Sequence, residues 1–201
     1  MESVDQVLRR VPTQARSRAK VERALSAAES LLEREGADSI TLPRVAQEAG
    51  VSVGALYQYL PDRDAIVEAL SATYYARLEE LMDQLVAQLS QTRPDDPVGA
   101  VIGAMAELYR DASGTRALRA MLMGASQTAQ AREHKQRMVA KTHDLLVAYG
   151  IVAADAPDTV ARTLFFAADG IMHEAFADGG NAALVVELEA MLRAYLDGLG
   201  T

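Results

Sequence analysis

Apolar residues return at steps of three and four along most of the chain and seldom alternate with polar ones over a strand length, which is the period of amphipathic helices. The first residues lack such a stripe, so residues 1–13 read as a loose arm. From about Gln14 to Glu35 the stripe is Val21, Ala24, Leu25, Ala28, Leu31 and Leu32, and Gly36 is expected to end this helix in the left-handed conformation. A short helix follows Thr41, a good N-cap, with Pro43 tolerated in its first turn and Gly50 as its stop. A second short helix spans about Ser52 to Tyr59 or Leu60, and Asp62 caps a fourth that runs to Leu89, with one possible break near Ser71. The segment Ser90 to Pro97 reads as a linker. Further helices are expected over Val98–Ala112, Thr115–Gln127, Ala131–Tyr149, Asp155–Ala177 and Ala182–Leu199.

Composition strengthens the all-helical reading. Alanine is the commonest residue, aromatic residues are 5%, and tryptophan is absent. The 201 residues allow one large domain or two small ones and suffice for a packed core. With no cysteine, the chain has no disulfide, thiolate metal site or cysteine nucleophile. It shows no signal peptide and no apolar run near the ~20 residues that span a bilayer, so a cytoplasmic protein with no membrane partner is expected.

The chemically informative stretch is Thr41 to Ile66, TLPRVAQEAGVSVGALYQYLPDRDAI. Two short helices meeting at Gly50 form a helix-turn-helix pattern. Ala46 is small where the helices cross, Gly50 supplies a positive φ, and Ser52 caps the second helix. Leu42, Val45, Ala49, Val51 and Leu56 would pack the pair against the first long helix.

The run from Gly50 to Asp64 resembles the recognition-helix signature of the TetR family of bacterial transcription regulators, roughly G-V-S-x-G-x-L-Y-x-Y-F-x-x-K-E. Thr41 to Ala46 is similar to that family's preceding helix. Leu60, Arg63 and Asp64 depart from the pattern while keeping chemical type, and Pro43 removes a side chain that some members aim at DNA. The specific likeness covers about the first 70 residues.

The resemblance and residue chemistry together assign roles. Thr41, Tyr57, Tyr59 and Arg63 would contact phosphate and fix register without reading sequence. Arg44 would reach phosphate or a guanine edge, and Arg16 and Arg18 phosphate or the minor groove. Ser52, Val53, Ala55 and Gln58 would face the major groove, with Gln58 able to bond adenine bidentately, and Gly54 would let the backbone approach. The expected fold is an N-terminal three-helix DNA-binding domain, residues 1–65, joined to a larger helical ligand-binding and dimerisation domain, residues 66–201.

In the second part, Leu164, Ala168, Ile171, Leu188, Leu192 and Tyr195 lie on stripes that suit a homodimer interface of two helices per subunit. Met105, Tyr109, Met123, Phe165 and His173 are candidate walls of a pocket for an apolar small molecule. His134, His143 and His173 lack metal-ligand spacing, and no nucleophile or phosphate-loop motif occurs, so neither metal, cofactor nor enzyme activity is expected. The expected protein is a homodimeric repressor of a near-palindromic double-stranded operator, released by an apolar effector. The alternative is a helical small-molecule-binding or interaction protein that has lost specific DNA binding.

The net charge of −8 argues against nucleic acid until it is divided along the chain. Residues 1–65 carry nine Lys and Arg against ten Asp and Glu, while residues 66–201 carry eleven against eighteen. Arg9 to Arg23 holds six cations and one anion, so the leading edge of the first part is basic.

Overall fold

The helix α2, Ala15–Glu35, shows how the sequence builds the first half of the molecule. Val21, Ala24, Ala27, Ala28, Leu31 and Leu32 recur at helical spacing and are all buried. In this computed structural model, which describes residues 2–111, 128–176 and 181–199, that face receives α3 (Leu42–Glu48) and α4 (Val53–Tyr57). Val45, Ala46 and Leu56 close the small core with Leu60 and Ile66.

Each junction has a local cause. Gly36 has φ +80° but ψ −175°, so it leaves α2 extended rather than in the left-handed helical well that was expected. The chain then takes one 3₁₀ turn, Ala37–Ser39, and the Ser39 hydroxyl reaches back to the Gly36 and Leu31 carbonyls at 2.6 and 3.2 Å. Those two bonds tie the 3₁₀ turn back onto the last turn of α2. The Thr41 hydroxyl accepts from the Arg44 amide at 3.4 Å, and the Ser52 hydroxyl from the Ala55 amide at 3.3 Å, so both expected caps are present. At the turn, Val51 N–H donates to Ala46 C=O (3.0 Å) and Gly50 N–H to Gln47 C=O (3.1 Å), with Gly50 at φ +63°. This is a Schellman closure, which needs a residue at ease with positive φ.

Three expectations about elements are corrected. Residues 1–13 are not a loose arm. A short helix, α1 (Glu2–Asp5), starts them, Val4, Leu8 and Pro12 are buried, and Arg9 N–H donates to Tyr59 C=O at 3.0 Å. Helix α4 ends at Tyr57 rather than Tyr59 or Leu60, because Pro61 has no N–H to bond the Tyr57 carbonyl and disfavours helical backbone at Leu60. The next helix, α5 (Arg63–Thr92), takes the unbroken of the two alternatives, the Ser71 hydroxyl donating to Val67 C=O within the helix at 2.7 Å, and runs three residues beyond the expected end at Leu89. Asp62 caps it as expected, accepting from the Ala65 amide at 2.8 Å.

The described residues fall into two compact units that divide inside α5, between Arg77 and Leu78. In the second, α6 (Pro97–Asp111), α7 (Ala129–Ala148), α8 (Thr159–Ala175) and α9 (Ala182–Leu199) follow. Helix α8 packs on α7 and α9, and α9 on α6. Helix α8 starts later than Asp155, with Asp158 in the N-cap position. Gly150 (φ +70°) ends α7 with a second Schellman closure, Ile151 N–H to Leu146 C=O at 2.9 Å. The helix expected over Thr115–Gln127, and with it Met123, lies outside the described residues. All regular elements among the described residues are helical.

Candidate nucleic-acid interface and apolar cavity

In the first unit, α4 is a five-residue helix held by its cap, by the turn at Gly50 and by one buried anchor, Leu56. Its remaining side chains point outward. Val53 is 42% and Tyr57 50% exposed, Ser52, Gly54 and Gln58 are exposed, and Ala55 is half-buried. A valine and a tyrosine left open on one short helix serve no core, and this is the face a groove would meet. The candidate residues thus divide. Thr41, Arg44 and Arg63 are exposed on the flanking elements, as are Arg16 and Arg18 on α2, whereas Tyr59 is buried to all but 8%.

Several of these cations already have partners. The Arg44 guanidinium grips both oxygens of Glu35 at 2.9 and 2.8 Å. Arg34 bonds Glu48 at 3.0 Å, and Arg77 bonds Glu29 at 2.7 Å. Arg63 donates to Ala37 C=O at 3.4 Å, and Arg18 to Pro12 C=O at 3.3 Å. Pairs this exposed are worth little and exchange readily for another anion. Arg9, which the sequence places only in a basic run, has its guanidinium over the Tyr57 ring, 5.4 Å from its centre. Val4 and Leu8 are buried and anchor the segment that carries Arg9.

In the second unit a cavity of about 130 Å³ opens among α5, α6, α7, α8 and α9. Met105, Tyr109 and Phe165 line it, as expected. His173 does not reach its wall and instead meets the Tyr109 ring edge-on at 5.8 Å. The walls are almost wholly apolar, with Met82, Ile102, Met138 and Leu146 prominent.

A polar rim interrupts them. His134 lines the cavity with its Nδ1 2.7 Å from a Glu79 oxygen, and Arg137 donates to the other Glu79 oxygen at 2.8 Å. Asp169, also on the wall, faces His173 Nδ1 at 3.3 Å and Lys135 at 3.9 Å. A carboxylate only accepts, so the His134 ring turns an N–H toward Glu79, and His173 Nδ1 lies 2.6 Å from the Asp169 backbone carbonyl. Burial pushes the Glu79 carboxyl up, but the hydrogen bonds and charges of His134 and Arg137 outweigh it and hold the group below its ordinary range. Burial likewise opposes ionisation of Asp169, and His173, Lys135 and His134 overcome it. Among the described residues, no three His, Asp or Glu side chains are placed to hold a metal ion.

The residues expected at a dimer interface separate as well. Leu188 is fully buried within the protomer, while Leu164, Ala168 and Leu192 line the cavity. Ile171 is half-buried and only Tyr195 is exposed. A side chain buried in its own subunit offers no area to another. The large apolar residues that α8 and α9 do expose are Phe166, Val186, Met191, Tyr195 and Leu199.

No helix among the described residues is long and apolar enough to cross a membrane. The sequence profile described as bacterial regulatory proteins, tetR family, matches residues 24–70, and that of the tetracyclin repressor-like C-terminal domain matches residues 94–196. An uncharacterised helix-turn-helix-type transcriptional regulator of Mycobacterium bovis is 27% identical over 193 residues, covering 87% of this chain and 93% of its own. A TetR-family transcriptional regulator from Pectobacterium atrosepticum superimposes with a TM-score of 0.66 at 20% identity, covering 92% of this chain and 97% of its own. SmeT, the repressor of the Stenotrophomonas maltophilia multidrug efflux pump SmeDEF, superimposes with a TM-score of 0.60 at 21% identity over 88% of both chains. A SmeT–triclosan complex is also similar, with a TM-score of 0.55 at 20% identity over 90% of both chains.

Proposed function

The chain belongs to the TetR family of bacterial transcription regulators, and on that premise we propose that it is a homodimeric repressor that releases its operator when an apolar small molecule fills the cavity of the second unit. The DNA-binding helices lie within residues 1–65 of the first unit, and the second unit, from Leu78 on, is the effector and dimer part. Its relatives are regulators of transcription and not enzymes.

The observation that carries the DNA half is the open face of α4, where Val53, Tyr57 and Gln58 stand outward on a helix capped at Ser52. Gln58 reads a base edge, Tyr57 and Arg63 engage phosphate, and Arg44 exchanges Glu35 for phosphate or guanine. A five-residue recognition helix reads few bases, which favours a dimer on a near-palindrome. The open apolar residues of α8 and α9 supply the surface for that dimer.

The cavity supports the effector half. Its volume is close to the ~150 Å³ that holds benzene in an engineered apolar void, so one aromatic ring fits and a larger molecule requires the walls to part. SmeT with triclosan is a precedent in a similar fold. The effector must prefer the geometry that cannot engage both half-sites, since equal affinity for the two states shifts nothing.

Selection from a pool of random duplexes tests this reading. The expected product is an enriched inverted repeat, with half-site centres about one helical turn apart. No enrichment, with the protein folded, would leave only a small-molecule-binding protein.

A further inference from the structure

The N-terminal segment makes contacts that no role in folding explains in full. Val4, Leu8 and Pro12 are buried, and Arg18 holds the Pro12 carbonyl, so the segment is fastened at both ends. Between these anchors the chain passes the end of α4, where Arg9 N–H takes the Tyr59 carbonyl. The Arg9 side chain then lies over Tyr57, the most open aromatic residue of the first unit.

From this placement we infer that Arg9 is a DNA-backbone contact built into the interface, with Tyr57 as the platform that aims it. The inference rests on the proposed DNA-binding function. A guanidinium over a ring face is held there by the cation–π attraction, and its N–H donors stay free for an anion. No carboxylate among the described residues pairs with it, in contrast to Arg34, Arg44 and Arg77. The ring contact removes rotamer freedom before DNA arrives, so the cation is ordered in advance at the C-terminal end of α4. The contact carries no sequence information, because phosphate repeats along every duplex. Tyr57 thereby holds two roles, its hydroxyl to phosphate and its ring beneath Arg9.

The test is fluorescence anisotropy with a labelled mixed-sequence duplex over a series of salt concentrations, for the wild type, Arg9→Gln and Arg9→Lys. Arg9→Gln should weaken binding about tenfold at low salt and flatten the plot of log affinity against log salt by about 0.9, one phosphate contact. Arg9→Lys should restore the slope and only part of the affinity, since an ammonium stacks poorly. Melting temperatures of both variants identify loss of fold. If Arg9→Gln unfolds, Arg9→Lys decides: a wild-type slope with weaker binding supports the inference, and unchanged affinity overturns it. A folded Arg9→Gln with the wild-type slope also overturns it and leaves the segment a structural strap. If the wild type itself shows no salt-dependent binding, the DNA-binding function fails instead.

Discussion

Filling the cavity should separate effector response from DNA binding. Ala168 is on α8, half-buried, with its methyl on the cavity wall. Ala168→Leu places three more carbons into a space of about 130 Å³. Burying them is worth up to ~2.4 kcal/mol at ~0.8 kcal/mol per carbon. Imperfect fit costs about 1–3 kcal/mol, so the two nearly cancel and the fold should survive. The lost space removes ligand binding. For the wild type at about ten times Kd of a one-ring probe such as benzene, binding contributes ~1.4 kcal/mol and raises Tm by roughly 3–6 °C. The assay is thermal denaturation with and without benzene, together with DNA anisotropy. Ala168→Leu should melt within a few degrees of the wild type, bind DNA as well, and show no benzene shift. The same shift in both proteins would mean that the ligand binds elsewhere.

Three more outcomes follow from the geometry. Gly50→Ala puts a side chain into open space at φ +63°, so only backbone strain counts; stability should fall by about 1–2 kcal/mol, read as a drop of roughly 2–8 °C in Tm. Gln58→Ala should relax preference at one operator position by about 1–3 kcal/mol, whereas Arg63→Ala should weaken all duplexes alike, both measured by competition with single-base variants. Glu79 and Asp169 titrate below their ordinary values when folded, so they stabilise the protein above pH ~5, and that contribution fades as pH falls through the carboxylate range. The wild-type Tm should therefore drop on acidification, and Glu79→Gln should show a shallower drop; identical pH profiles would remove the His134–Glu79 pair from the account.

Much of this was legible because local physics dictated it. The α2 stripe, the Thr41 and Ser52 caps, the glycine turn at Gly50 and the Asp62 cap each follow from one or two residues acting on their neighbours. Met105, Tyr109 and Phe165 were readable as cavity walls because apolar residues on the inner faces of three or more helices converge on one space. Partner choice was not readable. Leu188 and Leu192 share a helical stripe with exposed positions, and periodicity alone does not tell burial within the subunit from a surface patch. Nor does spacing tell that Arg44 is held by Glu35, nine residues back, or that Arg9 crosses to Tyr57. The order of the N-terminal segment is not legible because its anchors, Val4, Leu8 and Pro12, are single residues outside any sustained helical stripe.

The central claim is that two copies of this chain bind one operator through α4 and the cations around it. Sedimentation of the selected inverted-repeat duplex with increasing protein, repeated across salt concentrations, tests it most directly. The account predicts a complex of two protomers per duplex whose affinity falls steeply with salt and collapses when one half-site is scrambled. A one-to-one complex indifferent to the second half-site, or an affinity unmoved by salt, would contradict it.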